Sequence, residues 1–184
     1  DISDYVKDNA DGIIVKGNES GGFVGEESCF ILLQKFIKNT DLPLYIKGGL
    51  TPHVAAACSA LGVAGGVYDS QLLLLNESPF KNDLQKTLSP LAGSETIAVG
   101  DPSEGEYFRI LNRPQFKEAK NFIAQGESLS GDELDNLVAK YTINLSEPTQ
   151  GILPVGHDIC FAQSYQKQYG SVSKLINATN NAVK

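Results

Sequence analysis

Asp11-Gly-Ile-Ile-Val-Lys-Gly-Asn-Glu-Ser-Gly-Gly22 decides how the rest of the chain reads. An apolar run, Gly12 to Lys16, ends in a glycine-rich loop. The same figure returns in Leu44-Tyr-Ile-Lys-Gly-Gly49, and in Gly65-Gly-Val-Tyr-Asp-Ser70 the glycine pair opens the run instead. A continuous short apolar run is the mark of a strand covered on both faces, as in a parallel sheet. Backbone stripped of Cβ just past such a strand can approach a phosphate or a planar ring closely. Repeated strand, glycine turn and helix is how a parallel α/β enzyme builds its binding face.

Working outward, the pattern predicts strands over 12–16, 42–46 and 63–69, with helices between them. Residues 26–39 carry Cys29, Leu32, Leu33, Phe36 and Ile37 at helical spacing, and Glu26 and Glu27 suit the positive end of the helix dipole. Thr51-Pro52 supplies an N-cap with Pro at the first helical position. Val54, Ala55, Ala57, Cys58 and Leu61 form the expected buried stripe, closed by Gly62. A short helical run over 71–75 and a polar helix around 83–88 follow. The character changes near Ser89-Pro90. Residues 94–99 and 106–111 alternate as a β-hairpin about a turn-rich 100–105. The remainder reads helical over about 115–125, 131–141 and 157–181, with a loop at 146–151 and a fresh N-cap at Ser171. Residues 177–184 are expected to fray. The division expected is 1–89, βα units with glycine-rich cofactor loops, and 90–184, a β-hairpin plus helical extension packed on them.

The 184 residues suit one domain or one and a part. Twenty-two acidic against 15 basic residues give a net charge of -7. That balance argues against a nucleic-acid partner, which wants a basic stripe. No apolar run approaches the ~20 residues of a membrane helix, and no signal-peptide pattern opens the chain. Cys29, Cys58 and Cys160 are odd in number and show no CxxC spacing, so they are expected to be reduced, mostly buried, and cytoplasmic. His53 and His157 fit no metal-ligand motif. With no Met and a start at Asp1, about ten residues before a strand, the chain is expected to be a segment of something longer.

Three segments bear chemistry. In Lys16–Gly25, Gly21 and Gly22 can lie against a cofactor while Lys16, Asn18 and Glu19 point into the mouth; a solvent-exposed turn is the rival reading. Lys47-Gly-Gly-Leu-Thr-Pro52 can present the amides of Gly48 and Gly49 to an anion at a helix start, or be a plain turn. Ser70 and Gln71 can serve the same anion from the adjacent strand end. Asp69 would be awkward there and is expected to turn away as a helix cap. His53 reads as a surface or capping residue and His157 as structural. No nucleophile set with a Ser, Cys or His can be assembled.

Gly17-Asn-Glu-Ser-Gly-Gly-Phe23 resembles the Gly-x-Glu-Ala-Gly-Gly-His loop of the nitronate monooxygenase (2-nitropropane dioxygenase) family, which includes flavin-dependent enoyl reductases. Pro43–Leu50 and Ala64–Leu72 resemble its Pro-Val-x-Ala-Ala-Gly-Gly-Ile and Ala-Asp-Gly-Val-Gln-Met-Gly-Thr-Arg strands, in the same order. Residues 152–165 resemble its late Gly-Gln helix more faintly. Lys-Gly-Asn-Glu, Asp-Ser-Gln-Leu and Gly93-Ser-Glu-Thr96 resemble the divergent version found in large polyketide synthases.

The resemblance implies an FMN-binding (β/α)8 TIM barrel of which this chain holds the last three βα units. It implies Gly48, Gly49, Ser70 and Gln71 at the FMN phosphate, with Lys47 replacing a cation missing at Leu72. Gly21 and Gly22 would line the flavin, and Lys16, Asn18, Glu19 and Phe23 the substrate pocket. Phe23 stands where the family has His, so proton abstraction is lost while hydride delivery through flavin survives. The implied partners are a small-molecule or acyl-thioester substrate, the rest of the barrel and neighbouring synthase domains. Such a barrel needs roughly 200 or more residues, so the segment alone is not expected to be active. The alternative is a degenerate barrel serving as a docking scaffold in a megasynthase.

Overall fold

The structure, a computed structural model, describes residues 9–80, 82–142 and 149–184, with residues 82 and 83 described in backbone only. Part of the loop expected at 146–151 lies outside these residues. Strands β1 (Ile13–Lys16), β3 (Leu44–Lys47) and β4 (Gly65–Val67) form a parallel sheet in the order β1-β3-β4. Ile14 pairs with Tyr45 and Tyr45 with Gly65, so these three share one face. The other face, Ile13, Val15, Leu44 and Ile46, packs against helix α1 (Cys29–Phe36) through Cys29 and Leu33.

Local signals set the helix starts. The Ser28 hydroxyl accepts from Ile31 N–H and begins α1. Glu26 and Glu27 therefore precede the helix rather than occupy its first turn. Thr51 caps α2 (Pro52–Ala60) by accepting from Val54 N–H at 3.1 Å, with Pro52 at the first helical position. The stripe expected on α2 is only partly covered: Val54 and Leu61 are exposed, while Ala55 and Cys58 are half-buried against the sheet. The run after β4 is a single 3₁₀ turn, Ser70–Leu72, followed by α3 (Asn82–Leu88).

The second sheet is antiparallel, in the order β2-β6-β5, from β2 (Gly22–Val24), β5 (Thr96–Val99) and β6 (Tyr107–Leu111). The hairpin β5–β6 pairs Thr96 with Leu111 and Val99 with Phe108. Strand β2 is a departure from the loop expected at 17–25. Its partner lies some 85 positions away, with Phe23 opposite Phe108. Helices α4 (Ala119–Gly126) and α5 (Gly131–Tyr141) cover this sheet. The C-terminal stretch forms a 3₁₀ turn (His157–Phe161), α6 (Ala162–Gln168) and α7 (Val172–Val183), capped by Ser171. The expected fraying of the tail is not seen: α7 runs to Val183 and packs along α2.

Apolar residues gather in clusters, the largest of which crosses residue 89. One joins β1, β3, α1 and Val63, and a larger one joins Leu74, Phe80, Leu84 and Leu88 to β5, β6, α4 and α5. Cys29, Cys58 and Cys160 are all free thiols, but Cys160 is exposed rather than buried. No helix among the described residues is long and apolar enough to cross a membrane. Phe122 is fully buried at the centre of the larger cluster, edge-on to Phe108 and Tyr141 at 5.9 and 6.0 Å between centroids. Phe122→Ala removes these ring contacts and leaves a cavity, so urea unfolding should show a loss of about 3–5 kcal/mol.

Candidate functional site

The tips of β1, β3 and β4 point the same way, and the chain past each tip meets the segment 154–158. The Gly156 N–H donates to the Ser70 hydroxyl at 2.9 Å, and the His157 N–H donates to the Glu19 carbonyl at 2.7 Å. A Cβ on Gly156 would stand 2.3 Å from the Glu19 carbonyl oxygen, so only glycine permits this backbone-to-backbone approach.

The loop after β1 is braced from within. The Glu19 carboxylate accepts from Cys29 N–H at 3.1 and 3.2 Å, at the positive end of α1. It thus supplies the dipole partner that Glu26 and Glu27 were expected to be. The Asn18 amide donates to the Glu26 carbonyl, and its own carbonyl accepts from Arg109 Nε at 2.7 Å. Asn18 and Glu19 therefore hold the loop's shape instead of facing an open mouth. The buried Ser20 hydroxyl donates to the Lys47 carbonyl at 3.0 Å and ties this loop to the tip of β3.

At the tip of β3, Gly48 and Gly49 take φ of +122° and +61°, a turn that residues with a Cβ resist. One strand over, the buried side chains of Ser70 and Gln71 are both engaged. Ser70 holds Gly156, while Gln71 donates to the Leu50 carbonyl at 3.1 Å and accepts from Asp69 N–H at 2.9 Å. Asp69 caps nothing with its side chain. It pairs with Lys47 at 3.1 Å, so Lys47 carries its own counter-ion.

Asp158 was not foreseen. It is 2% exposed, and neither carboxylate oxygen has a hydrogen-bond partner among the described residues. Burial pushes its pKa up to about 6, and the Asp69 charge adds to the shift. The Ser70 hydroxyl and the Gly49 amide face it and pull the other way, but neither closes a bond of good geometry, so burial wins. The adjacent Arg109, 8% exposed, was also unforeseen. It donates to the Thr96 hydroxyl at 3.3 Å and lies 3.1 Å from His157 Nε2. Because guanidinium only donates, His157 Nε2 accepts and the ring proton sits on Nδ1. Burial and Arg109 both lower the His157 pKa, which keeps the ring neutral. His157 is thus the structural residue expected, and His53 is exposed on the first turn of α2.

Lys16 and Phe23 border an open pocket of about 450 Å³ with Val24, Tyr107 and Leu134. Lys16 reaches toward Gly22; burial and the neighbouring Lys47 lower its pKa. Phe23 packs edge-on to Phe108 at 4.7 Å. Gly21 lies against the Pro154–Val155 peptide. The structure thus gathers Gly48, Gly49, Ser70 and Gln71 in one place and Lys16 and Phe23 in another, and leaves Asn18 and Glu19 in the loop scaffold. No group of three or more metal-ligating side chains occurs among the described residues.

The profile of the family described as nitronate monooxygenase matches residues 2–178. A dehydrogenase of Rhodococcus jostii (strain RHA1) acting on a 5-hydroxy-7a-methyl-1-oxo-octahydroindene-4-carboxyl-CoA is 30% identical over 104 residues, covering 56% of this chain and 29% of that protein. Among solved structures, FabK from Thermotoga maritima superposes with a TM-score of 0.72 at 20% identity, over 95% of this chain and 55% of its own. Nitroalkane oxidase from Streptomyces ansochromogenes gives 0.66 at 15%, over 95% and 52%. The enoyl reductase domain of MlnA, from the macrolactin cluster of Bacillus amyloliquefaciens, gives 0.57 at 14%, over 95% and 57%. The chain spans little more than half of these structures and less than a third of the Rhodococcus protein. Its fold is a mixed α/β arrangement corresponding to part of a TIM-barrel-like protein.

A stability prediction follows from Asp158. Its folded pKa, about 6, lies above the 3.8 of a free carboxyl, so the folded state binds the extra proton between those values. The stabilisation by protonation is complete below about pH 4 and is lost as pH rises through about 6. Asp158→Asn should therefore unfold at higher urea than the wild type at pH 8, by up to about 3 kcal/mol, with the gain vanishing near pH 4.

Proposed function

The chain belongs to the nitronate monooxygenase family, and on that footing we propose that it forms the last three βα units of an FMN-dependent (β/α)8 oxidoreductase barrel. The substrate is an acyl-type compound, reduced or oxidised by hydride transfer. The observation that carries the reading is the convergence of two neighbouring strand tips on one anion. The Gly49 amide and the Ser70 hydroxyl, from β3 and β4, both face the Asp158 carboxylate. Donors that already face a carboxylate are suited to a phosphate, and positive φ at Gly48 and Gly49 leaves their backbone open to close approach.

The residues present fit the group on that ground. Gly48, Gly49, Ser70 and Gln71 would hold its phosphate end: Ser70 through its hydroxyl, which accepts from Gly156 and keeps its own proton to donate, and Gln71 through its main chain because its side chain is already bonded. Gly21 and Gly22 would lie toward the ring. Bound flavin supplies the hydride chemistry that no side chain here can perform. The chain's own residues position and exclude. Lys16 and Phe23 border the substrate side, where Phe23 sheds water and the half-buried Lys16 offers a cation to a carbonyl or carboxylate oxygen. Lys47, paired with Asp69, is kept from acting as a free phosphate cation. Phe23 takes no proton, which favours hydride delivery in the manner of an enoyl reductase over nitronate-type proton abstraction. In this reading segment 1–89 carries the cofactor loops, and the extension from 90 supplies Arg109, His157 and Asp158 to brace the mouth. The partners are the remaining βα units and, by the likeness to MlnA's enoyl reductase domain, an assembly-line synthase.

Phe23 and Leu72 at the family's His and Arg positions keep a second reading in view, a barrel retained as a docking scaffold. The polypeptide carrying the whole barrel decides between them. Flavin absorbance near 450 nm with turnover of an enoyl thioester and a nicotinamide donor is the expected outcome. Flavin bound without turnover favours the scaffold, and absence of flavin overturns the cofactor reading. Gly48→Ala, whose Cβ would meet the Ser20 hydroxyl at 2.9 Å, should lower the flavin content of the purified protein.

A further inference from the structure

We propose that Asp158 makes the phosphate end of this site proton-linked: a phosphate monoester seats against Gly49 and Ser70 only as Asp158 takes up one proton. The inference rests on the flavin reading above and deepens it. Asp158 is almost fully buried with both oxygens unpartnered, and it faces the same two donors that the phosphate would use. Two buried anions cannot share one pair of donors without a large repulsion. One of them must be neutralised or leave.

Leaving is hindered. Asp158 follows directly on Gly156 and His157, whose amides are bonded to Ser70 and Glu19. Neutralising from within is also blocked. The charged and titratable groups around Asp158 are Asp69 at the tip of β4 and, on its own segment, Cys160 and Tyr165. Burial raises the pKa of Cys160 and Tyr165 and keeps both neutral, and ionised they would be anions, so neither can compensate the charge. Of the strand-tip cations, Lys47 is bound to Asp69 and Lys16 lies beside Gly22 in the Phe23 pocket. Across the mouth, Arg109 is spent on Asn18, Thr96 and His157. A proton from solvent is what remains. It converts the carboxylate to a carboxylic acid, and the new O–H turns from competitor to donor toward a phosphate oxygen. The carboxyl's own pKa of about 6 keeps that proton within reach near neutral pH.

The test compares FMN with riboflavin, which lacks the phosphate, in the polypeptide carrying the whole barrel and in its Asp158→Asn form. FMN dissociation constants are read by quenching of flavin fluorescence between pH 5.5 and 8.5. In the wild type the constant should rise about tenfold per pH unit above pH 6, the slope for one linked proton. In Asp158→Asn that slope should disappear, and riboflavin should show none in either protein. The phosphate's second ionisation near pH 6 is common to both proteins and cancels in the comparison. Calorimetry in two buffers of different ionisation enthalpy at pH 7.5 should count one more proton taken up per FMN by the wild type than by Asp158→Asn. Binding by Asp158→Asn with none by the wild type above pH 7 is the limiting case of the same expectation. Equal pH dependence in the two proteins, with equal proton uptake, overturns the inference and leaves the flavin reading standing. No flavin binding by either protein at any pH overturns both.

Discussion

The close passage of residues 154–158 over the strand tips is the constraint on which the site depends. Main chain meets main chain there. Gly21 abuts the Pro154–Val155 peptide, and Gly156 abuts Glu19 and Ser20, at distances that leave no room for a Cβ. Two amide bonds, Gly156 to Ser70 and His157 to Glu19, fix the crossing. A buried amide that lost its partner would cost about 1–3 kcal/mol, so the segment cannot drift without losing both. Once the crossing is set, His157 is delivered to Arg109 and Asp158 to the Gly49–Ser70 corner. The order of causes runs from a glycine's missing side chain to the placement of a buried charge.

Charge in the mouth is arranged so that most groups cancel locally. Glu19 is held by the α1 terminus, Lys47 by Asp69, and Arg109 by three neutral acceptors with the Glu19 charge nearby. Among the described residues only Asp158 has burial without a partner. In a half-exposed pair such as Lys47–Asp69 solvent keeps the energy small, and the pair serves mainly to fix the two strand tips. For Asp158 desolvation dominates, because the donors facing it are not close enough to repay it. That difference explains why one carboxylate at the mouth is structural and the other is poised to titrate.

What could be read from the amino-acid order was what local chemistry controls. Apolar runs with a glycine pair at one end marked β1, β3 and β4; Thr51-Pro52 and Ser171 marked helix starts; the alternation over 94–111 marked the hairpin. Strand β2 was missed because a glycine-rich stretch becomes a strand only when a distant one, β6, completes its ladder. Arg109 carried a usable signal: a charge inside Tyr107-Phe-Arg-Ile-Leu111 must find partners or break the strand. Asp158 carried a weaker one, an acid opening an apolar turn. The bracing of the loop by Asn18 and Glu19 has a general cause. Polar side chains in a tight loop compete first for the loop's own amides and carbonyls, and here those were within reach.

The parallel sheet itself supports the larger-barrel reading on energetic grounds. Its helix-side face buries Val15, Leu44 and Ile46, yet on the opposite face Ile14 is 57% exposed and Tyr45 38% exposed. Parallel strands ordinarily have both faces covered. Burying a side chain such as isoleucine is worth about 1.5–3 kcal/mol, so leaving this face to water forgoes stabilisation that further strands would recover. Among the described strands β1 and β4 each pair only with β3, which leaves an edge on either side of the sheet. An apolar inner face between two open edges, with glycine-rich loops at one end, matches a wall cut from a closed barrel more closely than a free-standing open sheet. On the proposed barrel reading the glycine-rich loops and the uncovered face would have one cause, since both would look toward the axis around which further strands would close.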